Sequence, residues 1–99
     1  MAPPQLSEDE VTQALAGLTD WHRDGDHIRA EFRFADFGTA MGFMVQAGYQ
    51  AERRNHHPEW SNVYNRVSVG LTTHDSGGLT QLDVDLATVM SQVAAALNS

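Results

Sequence analysis

Five histidines, His22, His27, His56, His57 and His74, are the groups in this chain best suited to move protons near neutral pH. His56 and His57 stand between the charged run Glu52-Arg53-Arg54 and Pro58. Glu52 and His56 are four residues apart, which on a helix puts both on one face, where the carboxylate fixes the imidazole tautomer or supports its cationic form. The end of that helix favours imidazolium through its dipole, although Arg53, Arg54 and His56 would equally serve there as simple terminal cations. Pro58 holds His57 extended, so its ring diverges from that of His56 and the two can flank one small molecule; an exposed turn residue is the plainer reading. His74 lies in Thr72-Thr73-His74-Asp75, where hydroxyls, backbone groups and a carboxylate converge at a strand end. His22 and His27 face each other across a hairpin and read as solvated strand residues.

Other chemistries have weaker footing. Three histidines with Glu52 or Asp83 could form an N/O metal site, but the helical His-Glu-x-x-His pattern is missing and no metal is expected. The chain has 0 cysteines, which removes thiolate ligands, disulfides and cysteine nucleophiles. No Gly-x-Ser-x-Gly elbow occurs, and Gly77-Gly78 lacks a phosphate-loop lysine. With 6 basic and 13 acidic side chains the formal charge is −7, which repels a phosphate backbone, so nucleic-acid binding is not expected. No apolar run approaches the roughly 18 residues of a membrane span, and Met1–Gln5 has no positive or apolar leader pattern, so a cytoplasmic location is expected.

These side chains need a scaffold, and 99 residues with 41% hydrophobic content fit a single domain over residues 1–99. Ser7 and Glu10 have capping-box spacing, with Leu6 and Val11 as a staple, and open a helix ending near Gly17. Asp24-Gly25 predicts a two-residue hairpin turn pairing Trp21 with Ile28, and Ile28, Ala30, Phe32 and Phe34 alternate with charged residues as a half-buried strand. Asp36 caps a second helix with apolar positions Phe37, Ala40, Met41, Met44, Val45, Gly48 and Ala51, predicted to run to about His56. Gly38 and Gly42 on that helix suggest close packing. A second hairpin around Asn65 places Val63, Val67, Val69 and Leu71 on one face, and Trp60, Tyr64 and His74 on the other, as a flat wall for an aromatic ligand or ordinary sheet surface. Thr80 with Asp83 opens a third helix buried along Leu82, Leu86, Val89, Met90, Val93 and Leu97. The order α-β-β-α-β-β-α predicts an α+β fold, a four-stranded antiparallel sheet with helices packed on one face.

The segment from Glu52 through His56-His57-Pro58-Glu59-Trp60 to Asn65, followed by Thr72-Thr73-His74 and Asp83, resembles the pterin-4a-carbinolamine dehydratase family, and the likeness covers nearly the whole chain. It implies dehydration of 4a-hydroxytetrahydrobiopterin to quinonoid dihydropterin, recycling pterin for aromatic amino-acid hydroxylation, with no metal or organic cofactor. By the family pattern His56 and His74 form the acid/base pair and His57 binds substrate. Glu52 would support His56, and Asp83 would orient the site. Asn55, Pro58, Trp60, Thr72, Thr73 and Asp75 complete the implied pterin contacts. Two departures stand out: Asn55 where relatives often have aspartate, and Asp75 where glutamate is common. The resemblance also implies a homodimer or homotetramer, with sheets joined edge to edge in some members. It leaves two other roles open: a protein-interaction module acting as a dimerisation cofactor or transcriptional coactivator, and a pterin-binding protein linked to molybdopterin metabolism.

Overall fold

Each of the three helices starts where a side chain can satisfy its orphan amides. The computed structural model describes residues 2–99. Ser7 and Glu10 close a capping box over α1 (Glu8–Ala16), with the Ser7 hydroxyl accepting from the Glu10 amide at 3.1 Å and the Glu10 carboxylate from the Ser7 amide at 2.8 Å. Asp36 caps α2 (Phe37–Arg53) by accepting from the Thr39 amide at 2.7 Å. Thr80 and Asp83 form the box that opens α3 (Gln81–Asn98). The strands are β1 (His22–Asp24), β2 (His27–Arg33), β3 (Glu59–Val63) and β4 (Arg66–Leu71), and a short 3-10 turn covers His74–Ser76. They form one antiparallel sheet in the order β1-β2-β4-β3, so the α+β architecture is as the sequence predicts.

The strand alternation sorts the sheet into two faces. Ile28, Ala30 and Phe32 on β2 and Val67, Val69 and Leu71 on β4 are buried, whereas Glu31, Arg33 and Ser68 are exposed. Phe43 of α2 is fully buried and its ring centroid lies 5.1 Å from those of both Phe32 and Phe34. Its burial is worth about 1.5–3 kcal/mol relative to exposure. Trp21 meets Phe32 edge-on and donates its indole N–H to Ser91 Oγ at 2.9 Å, which ties the first hairpin to α3.

Both hairpins differ from expectation, with unequal consequences. In the first, the turn residues are Gly25-Asp26, with Asp24 opposite His27 and His22 opposite Arg29, rather than Asp24-Gly25 pairing Trp21 with Ile28. Gly25 takes φ +63, as the first central residue of such a turn requires. This slip spans two positions and leaves every side chain on its expected face. The second hairpin turns on Tyr64-Asn65, with Val63 opposite Arg66 and Trp60 opposite Val69. Tyr64, not Asn65, carries the positive φ of 52°, and the Asn62 side-chain amide braces the turn by donating to Tyr64 O and Arg66 O at 3.0 and 2.8 Å. Asn65 instead donates its side-chain amide to Phe34 O at 2.8 Å. A turn centred on Asn65 would differ by one residue, and one residue exchanges the faces of β3. Trp60 therefore joins Val69 on the inner face, and Val63 is exposed.

Two expectations for α2 are also corrected. The helix buries Ala40, Phe43, Ala47 and Ala51, leaving Phe37, Met41, Val45 and Tyr49 exposed as a second apolar stripe at four-residue steps. Gly38 and Gly42 meet no neighbouring element closely; Gly48 is the glycine that faces one, with its Cβ direction 3.9 Å from the Trp60 ring.

Candidate active site

The cleft histidines owe their directions to how α2 ends. Asn55 is left-handed at φ 49, and behind it the Asn55 amide donates to Glu52 O and the His56 amide to Ala51 O, each at 3.1 Å. These two bonds make a Schellman stop with asparagine in the position usually taken by glycine. His56 is thus outside the helix, and the expected Glu52–His56 pairing across one turn does not occur. The stop swings His56 inward to α3 and leaves His57 beside Glu52, whose Oε1 lies 2.8 Å from His57 Nε2.

His56 is buried, and its Nε2 lies 2.6 Å from Oδ1 of Asp83, which is 0% exposed. The other carboxylate oxygen accepts from Thr73 Oγ1 at 2.8 Å and from the Thr80 amide at 2.9 Å. Thr80 Oγ1 accepts from the Leu82 amide at 3.2 Å and donates its own proton to Thr73 Oγ1 at 2.8 Å. Every donor in this chain points toward Asp83, so the residue that starts α3 also holds His56. A buried carboxylate is tolerated because it is fully partnered, and no buried side-chain polar atom among the described residues lacks a hydrogen bond.

His74, in the 3-10 turn, brings the third imidazole. Its Nε2 lies 3.2 Å from Oε2 of Glu59 on β3. The same carboxylate receives His27 Nε2 at 3.3 and 3.2 Å, and His27 Nδ1 lies 2.7 Å from Asp26. The hydrogen bond to His27 holds the carboxyls of Glu59 and Asp26 below their ordinary range. Partial burial opposes charge on the His27 ring, but its bonds to Asp26 and Glu59 outweigh this and raise its pKa.

His56, His57 and His74 line one cleft of about 550 Å³, with Asn55, Thr72, Thr73 and Asp75. The Thr72 hydroxyl is occupied by Asp26 O at 2.5 Å, and that of Thr73 by Asp83. Pro3 and Leu82 also line the space. Glu52 reaches it through His57, and Asp83 through His56 and Thr73. Pro58 is half-buried and not among the lining residues. Trp60 is not brought to the cleft, since the register of β3 turns it toward α2. His27 is not the solvated residue expected, and Glu59 has no assignment from sequence; neither carries a local signal, because their meeting joins residues 32 apart. Among the described residues no group of three histidine, aspartate or glutamate side chains converges as a metal site.

Each cleft imidazole therefore meets a carboxylate through Nε2: Asp83, Glu52 or Glu59. A carboxylate only accepts, so Nε2 carries the proton in each ring and Nδ1 is left as the exchanging atom when the ring is neutral. That arrangement suits proton transfer to and from one small molecule.

Known proteins resemble this chain over most of its length. The family model described as pterin 4 alpha carbinolamine dehydratase matches residues 4–93. Relatives in Brucella ovis and Brucella canis, which carry the provisional name pterin-4-alpha-carbinolamine dehydratase, are each 48% identical over 96 residues, covering 95% of this chain and 99% of theirs. A crystal structure from Brucella melitensis, described as a transcriptional coactivator/pterin dehydratase, superposes with a TM-score of 0.88 at 46% identity, covering 91% of this chain and 98% of its own. Matches of this extent place the chain in the pterin 4 alpha carbinolamine dehydratase family.

Proposed function

We propose that the cleft dehydrates 4a-hydroxytetrahydrobiopterin to quinonoid dihydropterin. The C4a–O bond breaks as the departing hydroxyl takes a proton from an acid and leaves as water. The N5–H proton passes to a base, and its bonding pair becomes the C4a=N5 double bond. His56 and His74 are the acid/base pair serving the two faces of C4a, and His57 binds the ring system. The observation that carries this reading is the shared Nε2-carboxylate pairing, which frees Nδ1 of each imidazole for transfer. A positioned acid or base contributes about 10²–10⁴-fold, so the two together account for enzymatic dehydration without metal or organic cofactor.

The physiological setting proposed is pterin recycling for aromatic amino-acid hydroxylation in the cytoplasm. No helix among the described residues is long and apolar enough to cross a membrane. A homodimer or homotetramer is proposed as the working form, supported by the exposed stripe of α2 and by the open edges of β1 and β3. The same stripe favours a second reading, a protein-interaction module, and the description of the Brucella melitensis relative as a coactivator fits it. Dehydration of the carbinolamine, followed in chelator, separates the readings. The catalytic reading expects wild-type acceleration, with His56→Ala and His74→Ala each slower by about 10²–10⁴-fold. Rates equal to buffer, with partner binding that survives loss of all three histidines, would select the interaction role.

A further inference from the structure

We infer that His27 is a positioning residue that fixes the tautomer and orientation of His74 through a carboxylate both share, Glu59. The inference deepens the proposed dehydration, because His74 is one of its two proton-transfer groups. The His74 side chain is 80% exposed, so packing does little to hold its ring, and its side-chain hydrogen bond is to Glu59. Glu59 sits on the edge strand β3 and is itself half exposed. His27 is the ordered member, with a side chain only 16% exposed and a carboxylate at each nitrogen, Asp26 on Nδ1 and Glu59 on Nε2. Neutral imidazole has one donor and one acceptor, and neither carboxylate can donate, so only imidazolium satisfies both contacts.

The charges facing His27 agree with this. Asp26 comes from the turn, Glu59 from β3, and Asp24 stands opposite on β1. Arg29 on β2 is the opposing cation, and its charge is met by Asp24 at 2.6 Å. His74 approaches edge to face, its centroid 6.5 Å from that of His27. His27 contacts both Glu59 oxygens, at 3.3 and 3.2 Å, and so leaves the carboxylate one orientation from which Oε2 also meets His74. His74 then keeps its proton on Nε2, and Nδ1 is the atom available to the pterin. The motif gives neither Glu59 nor His27 a role, and no helix or strand periodicity connects them.

The test is long-range proton–nitrogen NMR of the full chain with labelled histidine, His74 being assigned with His74→Gln. In wild type, neutral His74 is expected to carry its proton on Nε2. In His27→Gln it becomes a mixture of both tautomers, and dehydration kcat falls about three- to tenfold, because part of the population then presents the wrong nitrogen to the pterin, with KM little changed. Glu59→Gln produces the same tautomer mixture while the His27–Asp26 contact persists, which keeps the test valid if His27→Gln folds poorly. His27→Lys, which restores the cation, recovers part of the loss. A wild-type His74 protonated on Nδ1, or variants whose His74 tautomer and kcat match wild type, overturns the inference. A His74 tautomer that shifts as expected in a chain with no dehydratase activity upholds the positioning role and refutes the proposed reaction instead.

Discussion

Replacing Asp83 with asparagine tests the buried half of the site, because the amide fits the same space but has one acceptor where the carboxylate has two. The Thr80 amide can only donate, so the asparagine oxygen must take the place of Oδ2, facing Thr80 and Thr73. Its NH2 is then turned toward His56 Nε2, which must give up its proton and move it to Nδ1. A charge-assisted bond worth about 1.5–3 kcal/mol becomes a neutral one worth about 1, so the stability loss is roughly 1–2 kcal/mol. A domain of this size has about 5–15 kcal/mol to lose, so the variant stays folded. The rate should fall far more, by about 10²–10⁴-fold, because His56 presents the wrong nitrogen to substrate. Urea unfolding and dehydration kinetics on the same samples separate the two effects. Asp83→Asn acting at the wild-type rate, or losing only the activity expected from its unfolded fraction, refutes the tautomer argument. Asp83→Ala, which strands all three donors, should instead cost about 3–5 kcal/mol.

Two further outcomes follow from the same geometry. Asn55→Ala removes the short polar side chain that lets asparagine tolerate the left-handed stop and should cost about 1 kcal/mol in urea unfolding, whereas Asn55→Gly, which has no Cβ, should be neutral or better; equal losses for both would show that the stop does not depend on φ. The His27 cluster predicts a two-sided pH dependence. His27 has a raised folded pKa, so its contribution is complete below its ordinary 6.5 and is lost as pH rises through the raised value. Glu59 and Asp26 have lowered ones, so theirs is complete above the ordinary 4.5 and 3.8 and is lost as pH falls through the lowered values. The difference in melting temperature between wild type and His27→Gln should therefore be greatest between pH 4.5 and 6.5 and shrink on either side. A difference independent of pH would dissociate the cluster from stability.

Local chemistry made the scaffold legible: Ser7 with Glu10, Asp36, and Thr80 with Asp83 mark three helix starts, and alternation along Ile28–Phe34 marks β2. Registers were harder, because adjacent turn-forming residues compete. Gly25 works with Asp24 or with Asp26, and the choice changes no face. Around Tyr64-Asn65 a single-residue difference turns Trp60 from the expected ligand wall to the inner face of the sheet, where it packs half-buried against the core, and that residue's expected role goes with it. At the site, the three histidines were legible as a set, but their partners were not. Reading α2 through His56 assigns Glu52 to the wrong imidazole, since the stop at Asn55 depends on one residue adopting φ 49. Spacing marks Asp83 as a cap and the resemblance brings it to the site, but neither names His56 as its partner, because that bond spans 27 residues and depends on the packing of α3 beneath the cleft. Glu59 and His27 meet only because the sheet order β1-β2-β4-β3 sets the starts of β2 and β3 on either side of the same end of β4.

Whether the three imidazoles share one ligand can be read by titrating histidine-labelled protein with a stable dihydropterin and following the imidazole nitrogens by NMR. One cleft holding all three rings predicts that His56, His57 and His74 respond together at a single saturating stoichiometry, while exposed His22 on β1 stays unmoved. A pterin that shifts none of them, or shifts His74 independently of the other two, would contradict the account.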